Sequence, residues 1–365
     1  MKSAAAARSL ALDAVTAPRR AAASALAVAA LAFVIMPALP RTAFADEGGV
    51  SFWLPGLFGS LAAVPQQPGW SATSIYYHTS VWADGAVSLA REFEIGRIPL
   101  QASGRASAHL DGSGDLGLLI PSYVFATPVL GGRASASLMG IYGNVDDSLL
   151  GTVSGHIGPF PFGPRFDSIQ SSATGLGDLY PMLALRWNSG ADNYMTYVTG
   201  DVPVGDYSST SLANIGIGHG AVDAGGGYTY FDPQSGHELS AMLGFTYNLI
   251  NQGTQYQNGV DMHLDWGASQ FLTKQLQIGV VGYLYDQLSC DGGSGDRVGC
   301  FESRVVGVGP QIGYLFPVGT MQGYLNLKAY GEFAAADRPA GGNAWLPFEN
   351  SPPAPAAAAA SVVAK

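Results

Sequence analysis

Beyond residue 70 the chain alternates apolar and polar residues with a period of two. Residues 237–248, HELSAMLGFTYN, set Leu239, Ala241, Leu243, Phe245 and Tyr247 on one face, with Glu238, Ser240, Thr246 and Asn248 on the other. Residues 275–287 set Leu276, Ile278, Val280 and Leu284 against Gln275, Gln277, Tyr283 and Tyr285. Residues 320–333 set Met321, Leu325, Leu327, Ala329 and Phe333 against Gln322, Tyr324, Asn326, Lys328, Tyr330 and Glu332. Such alternation marks strands whose two faces meet different surroundings. These runs are 12 to 14 residues long, against about 5–6 for a typical globular strand. Long tilted strands are what crossing a bilayer requires.

The same pattern, with weaker stretches at both ends, predicts strands near 70–79, 86–95, 103–110, 114–126, 132–144, 174–187, 193–203, 216–230, 237–248, 258–272, 275–287, 302–316, 320–333 and 343–350. The expectation is an all-β, antiparallel transmembrane β-barrel of the bacterial outer membrane with about fourteen strands, in a range of roughly twelve to sixteen. From residue 127 onward the connections alternate in length. Thr127–Gly131, Asn188–Asp192, Phe231–Gly236, Thr273–Lys274 and Pro317–Gly319 are short, whereas 145–173, 204–215, 249–257 and 288–301 are long. Short turns in the periplasm and long loops outside are the plan of outer-membrane barrels. The short connection 111–113 at the outer end is the exception.

Composition supports this reading. Charged residues make up only 12% of the chain, and it holds 49 glycines, 17 tyrosines and 16 phenylalanines. A soluble β-sandwich would carry more charge on its outer face, and an open sheet of such strands would leave sticky edges that closure removes.

The first 45 residues read as an export signal. Lys2, Arg8, Arg19 and Arg20 precede an apolar stretch, and Ala43-Phe44-Ala45 forms a cleavage site before Asp46. This leader holds five of the 17 basic and one of the 27 acidic residues, leaving a net charge of −14 in the remainder. Nucleic acid is an improbable partner for such a chain, because phosphate binding needs clustered Lys and Arg. The expected organisation is a signal peptide at 1–45, a periplasmic or plug segment at 46–69, the barrel at 70–350 and a disordered Pro/Ala tail at 351–365. Cys290 and Cys300 flank a Gly-rich loop and should form a disulfide in an oxidising compartment.

One stretch invites a sharper chemical reading. In GVDMHLDWGASQ, residues 259–270, Asp261, His263 and Asp265 alternate with Val260, Met262, Leu264 and Trp266. In a barrel the apolar set faces lipid and the ionisable set faces the lumen, where charge is tolerated. The alternatives are a metal site built from positions i, i+2 and i+4, or a hydrolase in which Asp265 orients His263 as base for Ser269. No G-x-S-x-G elbow accompanies the row. The lumen wall is the expected role, with no catalytic, cofactor or metal site. The predicted lining of the solute passage is Glu238, Asp261, His263, Asp265, Tyr283, Tyr285, Tyr324, Tyr330 and Glu332. Tyrosine offers an apolar ring with a polar tip, suited to small hydrophobic or aromatic solutes. The acidic bias should favour neutral or cationic solutes over small anions.

The stretch SFWLPGLFGSLAAVPQQPGW at 51–70 lacks sustained alternation, so its backbone belongs inside the barrel or below it. It resembles the opening of the family known as the MetA-pathway of phenol degradation, described as transporter-like. GLGDLYPMLALRWNSGADNYMTYVTGDVPVGDY at 175–207 is similar to that family's central strand pair, and RPAGGNAWLPFENSP at 338–352 to its last strand. Pro347 departs from the pattern of that last strand. The resemblance implies an outer-membrane barrel in contact with lipid, linked to aromatic-compound catabolism and uptake, and it supplies no catalytic residues. The other classes to test are an outer-membrane hydrolase using the Asp-His-Asp row and an adhesive barrel acting through its outer loops.

Overall fold

The computed structural model describes residues 51–84, 103–157, 160–296, 300 and 302–353. The signal peptide with its cleavage site between Ala45 and Asp46, the strand expected at 86–95 and the end of the tail lie outside the described residues. Twelve strands close into one antiparallel barrel: β1 (Gly69–Asp84), β2 (Ser103–Val124), β3 (Arg133–Ile157), β4 (Phe160–Ser189), β5 (Asp192–Asp201), β6 (Ala221–Asp232), β7 (His237–Asn248), β8 (Asp261–Phe271), β9 (Leu276–Gln287), β10 (Arg304–Val318), β11 (Met321–Ala336) and β12 (Ala340–Ser351). Each strand pairs with its chain neighbours, and β1 closes on β12 from Ala72↔Asn350 to Trp82↔Ala340.

The count is twelve, at the lower end of the expected range. Residues 103–110 and 114–126 belong to one strand, β2, which runs straight through 111–113. Glycine there serves close approach: a Cβ on Gly112 would meet Asp147 Oδ1 at 2.8 Å. With that correction 111–113 is no connection, but the links from β3 to β4 and from β11 to β12, at the end of the long loops, are themselves short. Residues 145–173 are likewise no loop, since β3 and β4 stay paired from Val145↔Ala173 to Ile157↔Phe160. The alternation fades there because a strand extending beyond the bilayer meets water on both faces.

The exterior of β5 to β12 is a band of exposed apolar side chains, among them Leu239, Leu243, Phe245, Ile278, Val280, Val308, Ile312, Leu325, Leu327 and Leu346. Aromatic pairs gather at the short-turn end: Trp70 on Tyr123 (ring centroids 5.1 Å apart), Tyr194 on Tyr228 (5.4 Å) and Phe231 on Phe271 (5.2 Å). An apolar belt edged by aromatic rings is the surface of a membrane barrel.

Of the prolines within strands, Pro121, Pro181, Pro310 and Pro347 each keep one neighbour and lose the other. Pro121 faces Ala72 of β1, but pairing with β3 skips from Leu119↔Gly140 to Ser122↔Ser137. Pro181 faces Leu138 of β3, and the β4–β5 ladder stops at Met182↔Thr199. Pro310 faces Val280 of β9, and pairing with β11 skips from Val308↔Gly331 to Gln311↔Lys328. Pro347 faces Ile75 of β1, and pairing with β11 skips from Leu325↔Phe348 to Lys328↔Trp345. A proline has no N–H to give. The departure at Pro347 therefore opens the ladder toward β11 while the closing seam with β1 stays continuous.

On β8, Asp261, His263 and Asp265 are buried inside while Met262, Leu264 and Trp266 are half-buried on the outer face. Leu264 lies between Leu243 and Leu284 in one outward row. Leu264→Arg should cost roughly 2–4 kcal/mol in a urea refolding titration in lipid if it sits near mid-membrane. His263→Gln should cost far less, because nothing facing lipid changes. Equal tolerance of the two substitutions would contradict this orientation.

Candidate functional site

Residues 51–68 precede β1 and lie within the lumen. Their sequence, rich in Gly and Pro, forms two turns, closed by Leu57 N–H to Leu54 O (3.1 Å) and Val64 N–H to Leu61 O (3.0 Å). Gly56, at φ +90°, occupies the left-handed region that glycine reaches without strain. A segment folded this way cannot satisfy its own backbone, and lumen side chains do so. Asp265 accepts from Gly56 N (2.9 Å) and Phe58 N (3.2 Å). Lys328 Nζ donates to Gly56 O (2.6 Å) and Phe58 O (3.2 Å). Leu61 N donates to Glu238 Oε1 and Ser240 Oγ, each at 3.0 Å, and Ala63 N to Thr229 Oγ1 at 3.1 Å. Gln311 Nε2 reaches Ser60 Oγ at 2.6 Å, and Arg186 Nε reaches Ala62 O at 3.2 Å.

Aromatic packing adds a second layer of contact. Trp53 lies flat on the His263 ring, with centroids 3.6 Å apart and planes 12° apart. Phe58 meets Tyr197 edge-on at 5.4 Å, and Phe52 stacks on Tyr180 at 5.5 Å. Phe52, Trp53 and Ala63 are at most 3% exposed.

The nine lining residues expected from sequence all stand on the inner side of the wall, and seven of them fall into three groups. Asp265, His263 and Glu238 bear on the inner segment. Tyr283, Tyr330 and Glu332 form a cluster in which Tyr283 OH donates to Glu332 Oε1 (2.7 Å) and its ring packs on Tyr330 (4.9 Å). The Arg338 guanidinium lies over the Tyr285 ring at 4.9 Å. Apart from these, Asp261 accepts from Asn248 Nδ2 (2.7 Å) toward the end of the long loops, and Tyr324 OH donates to Gln277 Oε1 (2.6 Å) nearer the short turns.

The row on β8 does not bring His263 to Ser269. His263 Nε2 faces Asp223 Oδ2 at 3.0 Å and Tyr197 OH at 3.3 Å. Ser269 Oγ donates instead to Glu238 Oε2 at 2.6 Å. Ser269 lies six positions along the strand from His263, roughly 20 Å away at about 3.3 Å per residue. Cys290 and Cys300 are joined, with an S–S distance of 2.02 Å.

Sequence reading passed over Asp223, Arg186, Thr229, Ser240 and Tyr180, together with the role of Lys328. Each inward position follows from strand parity. Contact with residues 51–68 has no local signal.

Two cavities flank the inner segment. One, of about 380 Å³, lies toward the end of the short turns and is walled by Leu57, Ile75, Ile120, Met139 and Met182, with polar groups that include Arg186 and Gln311. The other, of about 200 Å³, lies toward the outer loops beside Tyr207, Ile215 and Ile217. The connection 202–220 is pinned over this end by Asp178, which accepts from Gly205 N and Ile217 N, both at 2.7 Å. Trp53, Leu54 and Tyr180 line both cavities, so these three side chains form the partition between them.

The model of the family described as "Putative MetA-pathway of phenol degradation" matches residues 97–348. Among solved structures, an outer membrane channel from Pseudomonas putida F1 is similar with a TM-score of 0.57 at 13% identity, covering 78% of this chain and 96% of that one. A Pseudomonas aeruginosa FadL homologue aligns with a TM-score of 0.31 at 10% identity, covering 86% of this chain and 98% of that one. The autotransporter transport unit of AIDA-I from Escherichia coli aligns with a TM-score of 0.39 at 9% identity, covering 79% and 91%. The first likeness carries the fold, and the other two are too distant to carry more. No curated protein matches the sequence.

Proposed function

Because the chain belongs to the MetA-pathway of phenol degradation family, matched over residues 97–348, we propose that it is an outer-membrane channel for small hydrophobic or aromatic molecules. In this reading a signal peptide ending at Ala45 delivers the chain, and residues 51–68 act as a plug that leaves a narrow path along β1 to β5. The P. putida channel, which shares the fold, is named an outer membrane channel.

The observation that carries the reading is where the apolar cavity meets the wall. Ile120, Met139, Tyr180 and Pro347 all line the 380 Å³ space. Ile120 and Met139 face each other across the break at Pro121, Tyr180 adjoins the break at Pro181, and Pro347 makes a third break itself. An apolar solute gains by leaving water for such a lining. Where two strands lack their ladder, the wall has fewer bonds to break when a solute slips between lipid and lumen. A pore for sugars or ions would need an open aqueous column, which the plug occupies.

The test uses cells that lack the protein and depend on a plasmid copy. Uptake of a labelled monocyclic aromatic hydrocarbon should rise with the wild type. It should fall in the double variant Pro121→Val and Pro347→Val, whose restored N–H groups can close the ladder. Sugar-driven swelling of proteoliposomes should stay near background. Rapid swelling with no gain in aromatic uptake would make the protein a general polar porin and end this reading.

A further inference from the structure

The plug divides the charges of the lumen unequally. Asp265, Glu238 and His263 are engaged by residues 51–68. The cavity left open beside the plug is lined by Arg186 and Lys328 and by one acid, Glu349. Lys328 already gives its protons to Gly56 O and Phe58 O. Arg186 gives one from Nε to Ala62 O and one from Nη1 to Ser135 Oγ (3.1 Å), both neutral acceptors. A guanidinium has five N–H donors, so its charge and several donors remain. Among the described residues, no carboxylate forms an ion pair with Arg186. Glu349 accepts from Gln66 Nε2 at 2.9 Å, and its charge acts on Arg186 from within the same cavity without an ion pair.

A guanidinium with spare donors, in a pocket that also presents apolar walls, has a definite complement. A carboxylate on a compact apolar body can offer both oxygens to the guanidinium in the geometry that Arg favours. Its ring or chain would rest on Ile120, Met139 and Met182, which line the same space. A volume of about 380 Å³ lies within the usual range of roughly 300–1,000 Å³ for small-molecule sites.

We propose that this cavity is a binding site for amphipathic monocarboxylates, aromatic acids above all, with the carboxylate on Arg186 at the periplasmic end of the path. The inference rests on the channel reading and narrows its solute class. It also reverses, for the open part of the lumen, the preference against small anions that the acidic composition suggests.

The experiment is calorimetry on the full-length protein in detergent with three ring compounds of similar size: benzoate, benzylammonium and toluene. Benzoate should bind about tenfold or more tightly than benzylammonium. Arg186→Gln should erase that difference, and Arg186→Lys should restore part of it. Equal binding of benzoate and benzylammonium by the wild type overturns the proposal, as does undiminished benzoate binding by folded Arg186→Gln protein. If Arg186→Gln does not fold, the wild-type comparison of the two ions decides alone. Toluene that binds and is taken up without charge discrimination defeats this inference and spares the channel. Failure of aromatic uptake in cells defeats the channel itself.

Discussion

Removing residues 51–66 is expected to raise single-channel conductance in planar bilayers severalfold, from a nearly closed level to that of an open pore. The segment fills the barrel at mid-height, where Trp53, Leu54 and Tyr180 separate the two cavities. The wall does not depend on it, since all twelve strands pair with one another without its help. The lumen groups it releases are polar ones such as Asp265, Glu238, Ser240, Thr229 and Lys328, and water satisfies them once the lumen floods. The open pore should prefer cations, because Asp223, Glu238, Asp261 and Asp265 then face the ion path. Conductance that stays at the wild-type level in a heat-modifiable, folded variant would mean that these residues do not limit the path.

Lys328→Met should loosen the same segment without breaking the barrel. Lys328 is 4% exposed and Asp265 is 1% exposed. They act on the same two residues, the lysine on the carbonyls of Gly56 and Phe58 and the aspartate on their amides. The ammonium also lies 5.3 Å above the Trp345 ring. Methionine keeps the stem and removes the charge. Two carbonyls lose their donor, and the Asp265 carboxylate is left buried without its cation. Removing one partner from a buried charged arrangement costs about 3–5 kcal/mol, and here most of that falls on docking of the plug. The readout is maleimide labelling of a Ser60→Cys reporter, slow in the parent and fast in the Lys328→Met background. Unchanged protection of residue 60 would show that apolar packing alone holds the segment.

How far the barrel could be read from its sequence depended on what each strand face touches. From β7 to β12 one face meets lipid and the other a polar lumen, so the alternation is strong and the observed strands fall within a few residues of those expected. The signal failed where that contrast fails. Residues 145–157 and 160–173 lose the period of two and look like a loop in sequence, although they pair as β3 and β4 over nearly their whole length. Asp111-Gly112-Ser113-Gly114 carries every mark of a turn, yet its glycines make room for neighbours such as Asp147. For the site, parity alone put Asp261, His263 and Asp265 on the inner face. It could not reveal that Asp265 would meet amides at positions 56 and 58, more than 200 residues away. Nor could it bring Arg186 of β4 and Glu349 of β12 to one cavity, because that follows from closure of the whole ring.

The order in which the chain is made gives the inner segment a difficult history. It is synthesised before everything it will bind. Its partners Thr229, Glu238, Asp265, Gln311 and Lys328 lie 166 to 272 residues downstream. Contacts across such separations form late, after the loop-closure cost has been met by other pairings. The seam that closes the barrel joins the first strand to the last, so the lumen does not exist until the chain is complete. Until the seam closes, Phe52, Trp53, Leu54, Leu57 and Phe58 therefore form an unsheltered apolar stretch ahead of the first strand. Biogenesis must shield that stretch until then, and the ring must either close around it or admit it afterwards.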